Sequence, residues 1–191
     1  MRSAKTKRKT LETSIKIKVN IDGDGICEID TGIRYLDHMM NTLSKHSLID
    51  MKINAKGDLQ HHIVEDVAIA LGETLSKALE KREHINRFGN AIVPMDDSLA
   101  MVSVDLVKRP YSKISLNIEH EKVEDMVKED IQHFLLSFVQ SLEATVHIIV
   151  KYGEDDHHKV EAAFKALALS LRQAVIQDIQ RKAPPSAKGV M

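Results

Sequence analysis

The chain has no tryptophan, one cysteine, three tyrosines and four prolines in 191 residues. A single thiol, Cys27, excludes an internal disulfide and a cysteine-built zinc site. A reducing, cytoplasmic setting is the expectation that follows. No apolar run approaches the ~20 residues of a membrane span, and the basic start is not followed by a signal-peptide core, so no membrane partner is expected. Charge of one sign is not in excess: 27 Lys and Arg stand against 28 Asp and Glu. That balance gives no reason to expect a polyanion as the main partner. Only the first ten residues are one-sided, with Arg2, Lys5, Lys7, Arg8 and Lys9. A nucleic-acid arm and a solvated, frayed terminus both fit this stretch. The frayed terminus is the reading taken, with no nucleic-acid partner.

What is plentiful is histidine, ten residues in all. Histidine is the commonest metal ligand, and four of the ten form adjacent pairs, His61-His62 and His157-His158. The segments that follow, HHIVEDVAIALGETLSKAL and HHKVEAAFKALALSLRQAV, agree at eight of about nineteen positions. The matches are both histidines, Val64/Val160, Glu65/Glu161, Ala70/Ala166, Leu71/Leu167, Leu75/Leu171 and Ala78/Ala174, and the shared apolar positions have helical spacing. The offset is 96 residues, and Gly57 and Gly153 keep it, each closing a strand-like run. Further back, YLDHMMNTLSKH pairs with IQHFLLSFVQSL at an offset of 95, which sets His38 opposite His133. Alternating runs at 13–21, 99–107 and 112–118 read as strands. The expected fold is α+β: a tandem duplication of a sheet-plus-helices unit, over 1–90 and 91–191, the halves packed as one body. APPSAKGVM at the end cannot be regular helix and reads as an arm folded over something.

On a helix, residues four apart share a face, whereas neighbours diverge by about 100°. His61 and Glu65 therefore point together and His62 points elsewhere, as for His157, Glu161 and His158. Each pair should serve two sites. Two such helices facing across a pseudo-twofold, with His38 and His133, supply three histidines and one glutamate to each of two metals. Octahedral coordination then leaves two positions open at each. Imidazole and carboxylate without thiolate suit Mn, Fe, Co, Ni or Zn, and an open octahedral site favours Mn or Fe. His46, His84 and His120 read as ordinary surface or core histidines, and His147, on a strand without a repeat partner, as lying outside the ligand set.

The blocks TGIRYLDHMM (31–40), HHIVEDVAIALG (61–72), INRFGNAIVPMDDSLA (85–100), DLVKRPY (105–111), HHKVEAAFKALALSLRQA (157–174) and PSAKGV (185–190), in this order, resemble the imidazoleglycerol-phosphate dehydratases of histidine biosynthesis. The resemblance implies a duplicated α+β fold, two manganese(II) ions per active site at subunit contacts (iron, cobalt or zinc as substitutes), and a 24-subunit shell of trimers. It implies metal ligation by His38, His61, His62, Glu65, His133, His157, His158 and Glu161. It further implies a substrate phosphate held by Arg87, Arg109, Ser186 and Lys188, with Glu12, Asp96 and Lys165 lining the substrate site. Arg and Lys donors with a hydroxyl are what a phosphate dianion requires. The chain departs from the family pattern ahead of His61, where GDLQHHIVED is about three residues short and lacks two aspartates. Ile63 also replaces a small polar residue, and Ala187 stands where Thr or Ser is common.

The implied reaction removes water from imidazole glycerol phosphate to give imidazole acetol phosphate. The proton lost is not beside a carbonyl, so the ring itself relays the electrons. Two metals on the ring nitrogens stabilise its deprotonated form, and carboxylates (Glu12 and Asp96, beside the metal-bound Glu65 and Glu161) handle the protons. Two other classes are compatible with a binuclear site. A metallohydrolase would need mostly carboxylate bridges, and a non-catalytic metal-binding assembly protein would not need Arg87, Arg109, Ser186 and Lys188 together.

Overall fold

The structure, a computed structural model, describes residues 1–178, 180 and 183–186. The first half runs β1 (Ser3–Lys9), β2 (Thr13–Asn20), β3 (Cys27–Asp30), α1 (Arg34–Ser47), β4 (Asp50–Gly57) and α2 (Gln60–Leu79). The second runs β5 (Phe88–Met95), β6 (Ser98–Asp105), β7 (Tyr111–Ser115), a short β8–β9 hairpin (Lys122–Val123, Met126–Val127), α3 (Lys128–Leu142), β10 (Thr145–Tyr152) and α4 (Asp156–Ala174). The sheets have orders β1-β2-β4-β3 and β5-β6-β10-β7. Taken element by element these are one topology used twice, with antiparallel β2–β4 and β6–β10 at the centre and parallel β3–β4 and β7–β10 at one side. The duplication expected from the His-His repeat is thus present, with the β8–β9 hairpin as an addition to the second copy. Residue 90, where the sequence reading divides the halves, lies inside β5; the chain passes between sheets over 80–87.

Each sheet buries one face. In β2 the inward residues Ile15, Ile17 and Val19 are at most 3% exposed, while Lys16 and Lys18 face outward, the two-residue period of a half-buried strand. The helices lie between the sheets. α2 packs on β1, β2 and β4 and also on α3, whereas α4 packs on β5, β6 and β10 and also on α1. The halves therefore meet crosswise, α1 on α4 and α2 on α3, and share one core. Gly72 permits the α2–α3 approach: a Cβ there would sit 2.6 Å from the Phe138 carbonyl oxygen and 2.7 Å from the Leu142 nitrogen. Gly89 does the same for β5 against α4, where a Cβ would overlap the Ser170 carbonyl.

The basic N-terminus is not frayed, which corrects the reading from composition. It forms β1, paired along its length with β2. Its inward positions are small or tethered. Ala4 and Thr6 lie against α2, and Arg8 Nε donates to Asp66 Oδ1 at 2.6 Å. Burying a narrow polar strand under a helix leaves no apolar alternation to read. Strands β3 and β5, also absent from the sequence reading, are sheet edges like β1. β5 even contains Pro94, which an edge strand tolerates because one row of its amides needs no partner.

Candidate metal centre

The two His-His-x-x-Glu segments open α2 and α4, directly after the turns at Gly57 and Gly153. α4 is capped by Asp155, whose carboxylate accepts the His157 amide at 2.7 Å, the usual satisfaction of a free N-terminal donor. α1 has no cap of its own. Asp125 from the β8–β9 turn supplies one, accepting the amides of Arg34 (2.8 Å) and Tyr35 (2.9 Å). The hairpin added in the second half thus positions the helix that carries His38.

Two clusters form among the described residues. His38, His157 and Glu161 make one, and His61, Glu65 and His133 the other; in each, three possible ligand atoms lie within 4.8 Å of one another. Glu161 Oε2 is 3.2 Å from His157 Nε2 and 3.3 Å from His38 Nε2. Glu65 Oε1 is 3.2 Å from His133 Nε2. Each cluster combines a helix of one half with a helix of the other, α1 with α4 and α3 with α2; the two His-His-x-x-Glu helices, expected to face one another, each pair instead with the single-histidine helix of the other half. His62 and His158 are in neither cluster. As the 100° divergence requires, they point away, towards the sheet turns. There His62 lies 3.8 Å from Glu12 beside the β1–β2 turn, and His158 lies 3.5 Å from Asp96 in the β5–β6 turn.

All four paired histidines are held the same way. His61 Nδ1 lies 2.6 Å from Asp130, His62 Nδ1 2.8 Å from Asp58, His157 Nδ1 3.0 Å from Glu124 and His158 Nδ1 2.5 Å from Asp97. A carboxylate on Nδ1 orients the ring and leaves Nε2 as the lone-pair donor, the usual support of a metal-bound imidazole. His133 Nε2 is buried and, although Glu65 Oε1 is 3.2 Å away, the two are not aligned for a hydrogen bond, a costly state for a polar atom that a cation between them would relieve. These donors fit a divalent metal. The Asp58 and Asp97 partners raise the pKa values of His62 and His158, and those bonds hold both carboxylates below their usual range. Burial would raise Glu161, but the hydrogen bonds from Lys165 and His38 outweigh it, so Glu161 stays ionised. The clusters differ at one position. Where Asp130 supports His61, the repeat places Tyr35, whose ring lies 5.1 Å from that of His157; burial pushes its hydroxyl pKa up.

Lys165 stands one helical turn beyond Glu161 and bonds it at 2.9 Å. Arg87 lies at the other end of the molecule. Its guanidinium makes a two-point contact with Asp105 (2.6 and 2.9 Å), stacks on Phe88 and donates to the Pro185 carbonyl at 2.5 Å. The terminal arm therefore does fold over Arg87, with Ser186 next to the contact; Lys188 lies outside the described residues. Arg109, exposed, precedes β7 at the same end of the sheet, since Tyr111 pairs with Thr145 and Thr145 with Asp105. The Arg87 amide bonds the Ala174 carbonyl. His157 and Ala174 are 17 residues apart on α4, about 25 Å at the α-helical rise. Within one chain Arg87 and the His38, His157 and Glu161 cluster are thus held at opposite ends of α4.

Sequence reasoning missed Asp58, Asp97, Glu124 and Asp130, which orient the histidines. Their signal is weak: each is one carboxylate in an acidic turn or a first helical turn, and only folding tells which acid meets a ring. His46 is exposed, as an ordinary surface histidine would be; partial desolvation and the Lys165 ammonium lower its pKa. His147 lies outside both clusters, on the outward face of β10 with its ring 5.6 Å from that of Tyr111.

Among known proteins, the family model for imidazoleglycerol-phosphate dehydratase matches residues 31–171. The imidazoleglycerol-phosphate dehydratase of Methanocella arvoryzae is 46% identical, the alignment covering all of both chains. That of Clostridium botulinum is 44% identical over 98% of this chain and 97% of its own. Among solved structures, the Pyrococcus furiosus enzyme in complex with (S)-C348 superposes with a TM-score of 0.85 at 39% identity, covering 97% of this chain and all of that one. The Staphylococcus aureus enzyme gives 0.84 at 31%, covering 92% and 99%. Full-length identity of this order, a shared fold and paired His/Glu clusters at the repeat positions lead to one conclusion: the chain belongs to the imidazoleglycerol-phosphate dehydratase family, metal-dependent hydro-lyases of histidine biosynthesis.

Proposed function

We propose that the chain dehydrates imidazole glycerol phosphate at a site holding two manganese(II) ions, assembled from more than one copy of the chain. The observation that supports the shared site is the separation of about 25 Å along α4 between the His157 end, which carries one cluster, and the Ala174 end, which meets Arg87. A substrate with three carbons between its ring and its phosphate cannot span it. His38, His157 and Glu161 would hold one ion and His61, Glu65 and His133 the other, with His62 and His158 of neighbouring copies completing the two sets. When bound, the ions supply Lewis acidity that stabilises the deprotonated imidazole ring.

The chain's own residues do the rest. Arg87, held in place by the two-point contact with Asp105, joins Arg109, Ser186 and Lys188 in clamping the phosphate, which fixes the carbon chain against the metals. Glu12 and Asp96 sit beside His62 and His158, where a carboxylate can remove the C–H proton or protonate the departing hydroxyl. Lys165 stands where it can meet a substrate oxygen while keeping Glu161 ionised. The oligomer implied by the resemblance is a 24-subunit shell of trimers, and a single cysteine fits a reducing, cytoplasmic setting. No helix of the described residues is long and apolar enough to cross a membrane. The test is a dehydration assay on metal-stripped protein reconstituted with Mn, read as ketone formation. Release of inorganic phosphate in place of ketone, or activity without metal, would overturn the proposal.

A further inference from the structure

The N-terminal strand adds its lysines to a face that is already basic. β1 presents Lys5, Lys7 and Lys9 outward and β2 presents Lys16 and Lys18. In the register of the sheet Lys5 stands opposite Lys18, which stands opposite Lys52 of β4; Lys7 stands opposite Lys16. Lys56 extends the patch, next to Ser14 and Lys9. Only Lys52 has an ion-pair partner among the described residues, Glu28 of β3. The two-stranded β1–β2 part carries five outward lysines and no outward carboxylate. A net charge of −1 conceals this segregation.

Three observations separate it from an ordinary solvated face. Like charges directly opposite one another destabilise a sheet, so the arrangement has a cost that the fold does not require. The duplicated second half makes that plain, because its equivalent outward positions on β5 and β6 carry Asn90, Ile92, Met101 and Ser103. Lysines on an edge strand also discourage edge-to-edge association. That would account for β1, but not for Lys16, Lys18, Lys52 and Lys56, which lie on the two interior strands. Finally, a shallow groove runs over the patch, lined by Lys5, Lys7, Lys16, Lys18, Lys52 and Asn54.

We propose that this face binds the phosphate backbone of nucleic acid, through charge and without reading bases. Outward residues of one strand repeat about every 6.8 Å and neighbouring strands about every 4.8 Å, a grid of point charges that a chain of regularly spaced phosphates can follow. The outward side chains of β1, β2 and β4 are lysine, serine, asparagine and the terminal Asp50. Among these side chains there is no aromatic platform for stacking a base, no guanidinium fork for a base edge, no apolar anchor for a bilayer and no apolar centre for a protein interface; the exposed apolar residues Met1, Leu11 and Ile26 lie at the strand ends and turns that border the face. The proposal departs, on this face, from the expectation of no nucleic-acid partner, which rested on the net charge and on reading the basic N-terminus as a frayed end.

The test is fluorescence anisotropy of a labelled oligothymidine with the full-length metal-loaded protein. Four neutralised phosphates predict a log–log salt slope of about −2.8 for a single strand, so binding weakens about fifty-fold between about 50 and 200 mM salt. Lys5→Gln, Lys7→Gln, Lys16→Gln and Lys18→Gln together should abolish measurable binding and leave dehydratase activity unchanged. The milder pair Lys7→Gln and Lys16→Gln should weaken binding at least tenfold and flatten the slope by about half. Lys113→Gln with Lys151→Gln, on the second sheet, should leave binding as it was. No binding at low salt, binding undiminished in both sets of β1–β2 variants, or tighter binding to anionic vesicles or polyglutamate than to the oligonucleotide would each overturn the proposal.

Discussion

If each metal is shared between copies, two differently crippled chains should repair one another. Consider His38→Ala with His133→Ala, which removes one ligand from each cluster, and His62→Ala with His158→Ala, which leaves the clusters whole but removes the outlying histidines. Either protein alone has no complete site. Co-expressed in equal amounts with different tags, they mix at random in a symmetric assembly. A site is complete wherever its clusters come from a chain of the second kind and its outlying histidines from chains of the first. With one donor copy about a quarter of the sites are restored, and with two donor copies about an eighth, in an unbiased homo-oligomer. The assay is the rate of ketone formation per active-site equivalent in doubly tag-purified material, beside bound Mn by elemental analysis. A doubly tagged assembly with no activity above either parent would refute the shared site. So would a His62/His158 variant that keeps wild-type metal content and rate.

Three further outcomes follow from the geometry. His133→Ala should lose bound metal and activity, since its buried Nε2 faces Glu65, while His147→Ala should keep its metal; elemental analysis of both proteins decides it. Truncation after Ala183 removes the segment that meets Arg87 at Pro185 and should leave both clusters loaded. Loss of hydrogen bonds to an ionised group at about 1.5–3 kcal/mol each should weaken inhibition by inorganic phosphate tenfold or more, and normal phosphate inhibition would make the arm purely structural. Asp156 accepts the amides of Glu119 and His120 and bonds Lys159 Nζ and His120 Nδ1. Burial opposes its ionisation but those bonds prevail, so its pKa in the folded chain lies below the 3.8 of an unperturbed aspartate. A lowered folded-state pKa gives stability that is complete above the unfolded value and lost as pH falls through the folded one. Asp156→Asn should therefore destabilise the metal-free protein by roughly 1–3 kcal/mol at neutral pH and by progressively less below about pH 4, measured by urea unfolding; an equal loss at every pH would count against the assignment.

Residues that serve by their chemical type at a fixed local spacing could be read from the chain alone. His61 and Glu65, or His157 and Glu161, share a helical face because of the helical period. A repeated pattern at an offset of 96 residues then implies two equivalent units. The interior strand β2 was legible for the same reason, since burial on one face imposes alternation, whereas β1, β3 and β5 have less to bury and carry little pattern.

Meetings between distant parts of the chain needed the fold. Nothing local tells Asp130 from its neighbour Glu129 as the partner of His61, or brings Asp125 to the start of α1 from 91 residues away. That α1 lies on α4 and α2 on α3 follows from close packing at positions such as Gly72, where only a missing Cβ lets the helices touch. The charge of the first sheet is the same kind of fact. Composition counts lysines and carboxylates over the whole chain. Strand register alone decides that five of those lysines share one face with no acid between them, because only pairing sets Lys5 beside Lys18 and Lys7 beside Lys16.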